Sequence, residues 1–120
     1  MIVADFNHYD VQQHLKESQL LITDYSSVFF DFAYMRKPCV YYQFDEAQFR
    51  AGHYRKGYFD YREMGFGEVL TEHGALIATV ISYLECGCQM KAEYACRTDD
   101  FFPLHDASNC KRIYEEILKL

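Results

Sequence analysis

The stretch from Leu20 to Phe44 constrains this chain more than any other. Leu20-Leu21-Ile22-Thr23 is a continuous apolar run of strand length. A strand without polar alternation is one covered on both faces, as in a parallel sheet flanked by helices. Asp24-Tyr25-Ser26-Ser27 follows as a turn, and Val28-Phe29-Phe30-Asp31-Phe32-Ala33-Tyr34-Met35 reads as a helix that is apolar almost all round and therefore buried. Arg36 and Lys37 fall in its last turn, where cations suit the helix dipole, and Pro38 stops it. Cys39-Val40-Tyr41-Tyr42-Gln43-Phe44 is the next strand. Strand, tight turn, helix and strand make one βαβ unit, with a right-handed crossover and parallel strands. The fold class that follows is α/β, a parallel sheet with helices on both faces.

The remaining chain extends this pattern. Ile2-Val3-Ala4 reads as the middle of a buried strand, which implies an N-terminally truncated domain over residues 1–120. Val11, His14, Leu15 and Ser18 mark one side of a short helix with Asp10 as its N-cap. From Asp45 to Gly67 the sequence turns charged and aromatic with no clear period, the mark of a long functional loop. Phe66-Gly67-Glu68-Val69-Leu70 is a short strand, and Ala75 to Leu84 a helix with apolar residues at 76, 77, 80, 81 and 84. A polar stretch runs through Thr98-Asp99-Asp100. The last helix begins near Ser108 or Asn109, with Ile113, Tyr114, Ile117 and Leu118 on its inner face.

Composition removes several classes of function. With 120 residues, half of them hydrophobic, the chain has enough apolar material for one packed domain and is not disordered. Twelve Lys and Arg against 18 Asp and Glu give a net charge of −6, which argues against duplex nucleic acid as a partner because that needs a broad basic surface, and no nucleic acid is expected. An anionic ligand held locally is still allowed, since fields act within a Debye length of roughly 8 Å. No apolar run reaches the length of about 20 residues that a membrane span needs. Five cysteines, Cys39, Cys86, Cys88, Cys96 and Cys110, form an odd set without a secretion signal and read as reduced. Cys39 belongs in a buried strand, Cys110 facing a helix core, and Cys86 and Cys88 at a frayed helix end. Cys86-Gly87-Cys88 has no matching second pair, so no metal is expected.

In an open parallel sheet, ligands bind where strands end and the next helices begin, which points to the turn from Thr23 to Ser27. Ser26 and Ser27 offer two hydroxyls beside the free backbone N–H groups of the next helix, a setting suited to phosphate. Asp24 or Ser26 acting as a simple N-cap accounts for one such residue, but three are present. Asp31 lies four residues after Ser27, on the same face and about 6 Å further along, bracketed by Phe30 and Phe32. So bracketed, Asp31 reads as a buried carboxylate, which must meet a cation, backbone donors or the hydroxyls of a ligand. A nucleotide diphosphate and a structural ion pair both satisfy the residue chemistry.

These residues also carry a family resemblance. The run from Leu20 to Ala33, followed by Lys37-Pro38 and Tyr41-Tyr42-Gln43-Phe44-Asp45, closely resembles the C-terminal domain of the CDP-glycerol glycerophosphotransferases of teichoic acid synthesis. Tyr54 to Tyr61, Phe66-Gly67-Glu68-Val69, Phe101-Phe102 and Asn109 to Glu115 look like later segments of that family in the same order. The resemblance implies a GT-B architecture of two Rossmann-like domains, this chain being part of the C-terminal one, which binds the nucleotide donor. It implies transfer of glycerol phosphate from CDP-glycerol to a lipid-linked glycerophosphate acceptor, with release of CMP, at the cytoplasmic face of the cell membrane and together with the rest of the GT-B enzyme. No cofactor is implied. By motif position, Ser26 and Ser27 would hold the donor's phosphates and Asp31 its hydroxyls. Asp45 and Arg50 would line the cleft, with Arg50 stabilising charge on the transferring phosphate.

The family's proposed catalytic histidines lie upstream of the matched block, so no catalytic residue is assigned here. His8, His14, His53, His73 and His105 do not inherit that role, and His53 in the charged loop reads as a surface or substrate contact. Leu104-His105-Asp106-Ala107-Ser108 stands where a Tyr-His-Asp-Gly type run is usual, a departure from the family at that turn. Competing readings are another GT-B enzyme, such as a nucleotide-sugar glycosyltransferase or a UDP-sugar epimerase, and a non-catalytic binding remnant in which Asp31 is structural.

Overall fold

The computed structural model describes residues 10–52 and 57–120, the side chain of Arg50 excepted. In chain order the elements are α1 (Val11–Glu17), β1 (Leu21–Thr23), α2 (Val28–Tyr34), β2 (Cys39–Tyr42), α3 (Glu46–Gly52), β3 (Gly67–Leu70), α4 (His73–Glu85), α5 (Ala92–Phe101) and α6 (Asn109–Ile117). The expected strand at Ile2-Val3-Ala4 and the contact expected of His53 lie outside the described residues, as does His8.

The three strands form one parallel sheet in the order β1-β2-β3. Leu21 pairs with Cys39 and Thr23 with Tyr41, and Cys39 in turn with Gly67 and Tyr42 with Leu70. The βαβ expectation for residues 20–44 therefore holds. Alternate residues of β2 feed two separate cores, as side-chain alternation requires. Cys39 and Tyr41 pack with Phe29, Phe32, Ala33 and Phe66 on the α2 side, while Val40 packs with Leu76 and Tyr83 on the α4 side. The sheet is thus covered by helices on both faces. Gly67 is required by close approach, because a Cβ there would fall 1.7 Å from the Cys39 carbonyl oxygen.

Local chemistry sets the helix ends. The Asp10 carboxylate accepts from the Gln12 and Gln13 amides at 2.9 and 3.4 Å, confirming the expected cap of α1. At the other end of α1, the Lys37 ammonium donates to the carbonyls of Leu15, Lys16 and Ser18 at 3.0, 2.5 and 2.7 Å, joining α1 to the end of α2. Helix α2 closes with paired bonds, Arg36 N–H to Ala33 and Lys37 N–H to Phe32, which place Arg36 in the left-handed region at φ 56°. Helix α4 ends the same way, with Gly87 at φ 68°. Gly87 supplies the conformation at no steric cost.

Three expectations need correction. Residues 45–67 are not one loop: Glu46–Gly52 form α3, where good helix formers around Phe49 outweigh the absence of a clear apolar period. The polar stretch before Phe101 is α5, whose inward positions Tyr94 and Thr98 include a threonine and so hid the helical period. Helix α6 exists as expected, but its apolar side is not an inner face. Ile113, Tyr114, Ile117 and Leu118 are all more than half exposed, and Cys110 is exposed with them.

Candidate functional site

The C-terminal edge of the sheet brings together the turn after β1 and the segment after β2. Asp24 bends back on its own turn, its carboxylate accepting from the Tyr25 amide at 2.6 Å. Ser26 Oγ accepts from the Val28 amide at 3.4 Å, the local capping role weighed for it. Ser27 occupies the N-cap position without a side-chain cap bond, and its side chain is exposed. Of the two hydroxyls, that of Ser27 is therefore not spent on holding the helix.

The turn is braced from several directions. The Tyr25 ring stacks on Phe49 of α3 at 3.6 Å with an interplanar angle of 3°, and its hydroxyl donates to Asp45 Oδ1 at 3.3 Å. Tyr61 donates from its hydroxyl to the Tyr25 carbonyl at 3.3 Å. Gln43, only 2% exposed, donates from Nε2 to the Asp24 carbonyl at 3.3 Å. Its own backbone N–H reaches the Leu70 carbonyl at 2.8 Å. One buried residue thus joins the ends of β1, β2 and β3, through its side chain to Asp24 and its backbone N–H to Leu70.

Of the expected site residues, Ser26, Ser27 and Asp45 are brought together at this edge. Asp31 lies on α2 one turn beyond Ser27, as the spacing requires, but it is exposed rather than buried. The inward positions of α2 are Phe29, Phe32 and Ala33, so the carboxylate keeps its hydration and needs no structural counter-ion. Arg50 belongs to α3, next to the Phe49 that stacks on Tyr25, and its side chain lies outside the described residues. Gln43 and Tyr25 were not singled out as site residues. The available signals were a lone amide in an apolar strand run and an aromatic ring inside a polar turn.

Other polar features serve the fold. Cys39 is fully buried, and burial pushes its thiol up to about 11. Burial also raises the phenols of Tyr41, Tyr83 and Tyr94. Glu68 on β3 accepts from the Tyr83 hydroxyl at 2.9 Å and pairs with Lys91. The departure at residues 104–108 is an ordered turn. Asp106 accepts from the Ser108 amide at 2.8 Å and from Arg112, which holds its carboxyl below the usual range, while His105 stacks on Tyr34 at 4.5 Å. Cavities of about 250 Å³ beside β3, between Glu68, Tyr94 and Arg97, and about 410 Å³ along α6 contain none of the expected site residues. Among the described residues no group of three or more His, Cys, Asp or Glu is arranged to hold a metal ion, and no helix is long and apolar enough to cross a membrane.

Comparison with known proteins settles the family. The sequence profile of the CDP-glycerol:poly(glycerophosphate) glycerophosphotransferases matches residues 1–119. The chain belongs to this family. Among its relatives, the minor teichoic acid biosynthesis protein GgaB of Bacillus subtilis (strain 168) is 43% identical over 98% of the chain, which spans 12% of that protein. The teichoic acid glycerol-phosphate transferase of Staphylococcus aureus (strain NCTC 8325 / PS 47) is 29% identical over 98% of the chain and 30% of its own length. A variant structure of the wall teichoic acid polymerase TagF superposes with a TM-score of 0.67 at 29% identity, covering 97% of this chain and 28% of the polymerase. Another variant of that polymerase, soaked with CDPG, matches with a TM-score of 0.63 over 94% of this chain and 27% of the polymerase, at 28% identity. The chain therefore spans less than a third of the length of these relatives.

Proposed function

We propose that this chain forms the donor-binding part of a glycerophosphotransferase that moves glycerol phosphate from CDP-glycerol to a lipid-linked teichoic acid primer or chain. The observation that carries the reading is the braced turn at the C-terminal edge of the sheet, which presents an exposed Ser27 hydroxyl not used as a cap beside Ser26. Family membership and the soak of a related polymerase with CDPG support the choice of donor. Ser26 and Ser27 hold the phosphates. Asp31, exposed one turn along α2, accepts from donor hydroxyls, and Asp45 and Arg50 form the rim on the α3 side. In the transfer, the bond between the leaving CMP oxygen and the phosphorus of glycerol phosphate breaks while an acceptor hydroxyl bonds to that phosphorus. The acceptor's proton passes to a base outside this chain.

The reading places these residues in the C-terminal, Rossmann-like domain of a GT-B enzyme. The chain alone then binds donor without turning it over, and the rest of that enzyme supplies the base and the lipid-linked acceptor site at the inner membrane face. Calorimetry with CDP-glycerol and UDP-glucose tests it. The expected result is binding of CDP-glycerol in preference to UDP-glucose, lost at least tenfold in the Ser26→Ala/Ser27→Ala variant, whose melting temperature falls by no more than the few degrees that the lost Ser26 capping bond costs. Equal affinity for both nucleotides, or for the serine variant and wild type, overturns the assignment.

A further inference from the structure

We infer that Gln43 is a positioning residue for the donor's phosphates, acting through the backbone of the turn from Asp24 to Ser27. The inference rests on the donor-binding reading and adds to it a residue that touches no ligand. A buried amide just beyond an apolar strand is unfavourable unless its hydrogen bonds are made. Here the Gln43 side chain is 2% exposed and donates to the Asp24 carbonyl, while its backbone N–H holds the Leu70 carbonyl at the end of β3. The Asp24 carbonyl belongs to the first residue of the turn, so its orientation sets the peptides that lead to the two serines. The turn's other braces act on Tyr25, Phe49 from α3 and Tyr61 from the aromatic core beside Tyr41. Gln43 holds the turn with its side chain and the end of β3 with its backbone N–H, and so links the turn directly to the other two strand ends. An apolar side chain of similar volume fills the same space without fixing the carbonyl.

This separates positioning from simple packing by ligand. In NMR titrations of the whole chain, which read millimolar affinities, Gln43→Met should weaken CDP-glycerol binding about tenfold and leave binding of cytidine, which carries no phosphate, within twofold of wild type. Equal weakening for both ligands, or no weakening for either, overturns the inference. Gln43→Asn, which keeps the amide but shortens its reach, should not rescue CDP-glycerol binding, and full rescue contradicts the geometry. A measurement on the wild type covers the case in which the variants do not fold. The Gln43 side-chain amide signals should shift on adding CDP-glycerol and stay in place on adding cytidine, and signals unmoved by CDP-glycerol overturn the inference. If wild type binds no CDP-glycerol, the donor reading falls and this falls with it. If wild type binds and Ser26→Ala/Ser27→Ala loses it while Gln43→Met does not, only the role of Gln43 is refuted.

Discussion

The two faces of the sheet are built differently. On the α2 side, Phe29 sits among Tyr41, Phe59 and Tyr61 at ring distances of 5.1, 5.4 and 5.6 Å, in a core that extends to Phe66, Phe101 and Phe102. On the α4 side, Val40, Leu76 and Tyr83 form a thin layer, and Ile22, Ile77 and Ile81 are about half exposed. The dense face is also the one that reaches the functional turn, since Tyr61 belongs to its cluster and bonds the Tyr25 carbonyl. Close aromatic packing leaves few alternative arrangements, so burial there fixes the turn's position as well as the fold. Among the described residues, the hydrophobic cluster on the α4 side includes none from the turn.

Truncations on the two faces should differ most. Phe29→Ala is expected to cost about 3–5 kcal/mol, and Leu76→Ala about 2 kcal/mol at the low end of its class, measured by urea unfolding. Equal losses would break the contrast. The next effect concerns the thiol within the dense face. Cys39 has its pKa raised from 9.0 to about 11 on folding, so the neutral thiol is the favoured form. Its contribution is fully present below the unfolded value of 9.0 and is lost as pH rises through about 11, an alkaline decline on the order of 2–3 kcal/mol that Cys39→Ala should flatten. In the native chain Cys39 should also resist an alkylating reagent that labels the exposed Cys86, Cys96 and Cys110.

Smaller effects sharpen the separation of site from scaffold. Because Asp31 is exposed, Asp31→Asn should leave the melting temperature unchanged while weakening CDP-glycerol binding, whereas a fall of several degrees would restore the structural ion pair. The smallest change is expected far from both cores. Arg112 lowers the Asp106 carboxyl, so that pair contributes above the ordinary carboxylate range and is lost as pH falls through the lowered value. Asp106→Asn should therefore remove a slight acid-side slope in stability and nothing else, since both groups face water.

The βαβ unit was legible because its signals are local: an unbroken apolar strand, a polar turn, and Pro38 after two cations. The cap at Asp10 and the ending at Gly87 were legible for the same reason. Asp31 was misplaced because neighbouring phenylalanines do not bury a residue that faces outward on a helix. Helix α5 was hidden because Thr98 fills an inward position usually held by a hydrophobe, and α3 because its context is aromatic and charged. At α4, the apolar residues at 76 and 80 turn inward with Tyr83, while Ile77, Ile81 and Leu84 face out, so the sequence period was wider than the buried stripe. The two serines were found by type and spacing. Gln43 was not, because its role depends on a contact with a residue 19 positions away.

An amide-resolved NMR titration of the chain with CDP-glycerol tests the central claim most directly. The account predicts that the largest shifts fall on Asp24 to Ser27 and Gln43 to Asp45, with α6 and the cavity beside Glu68 and Arg97 unaffected. Shifts centred on that cavity or on α6, or no shifts at millimolar donor, would contradict it.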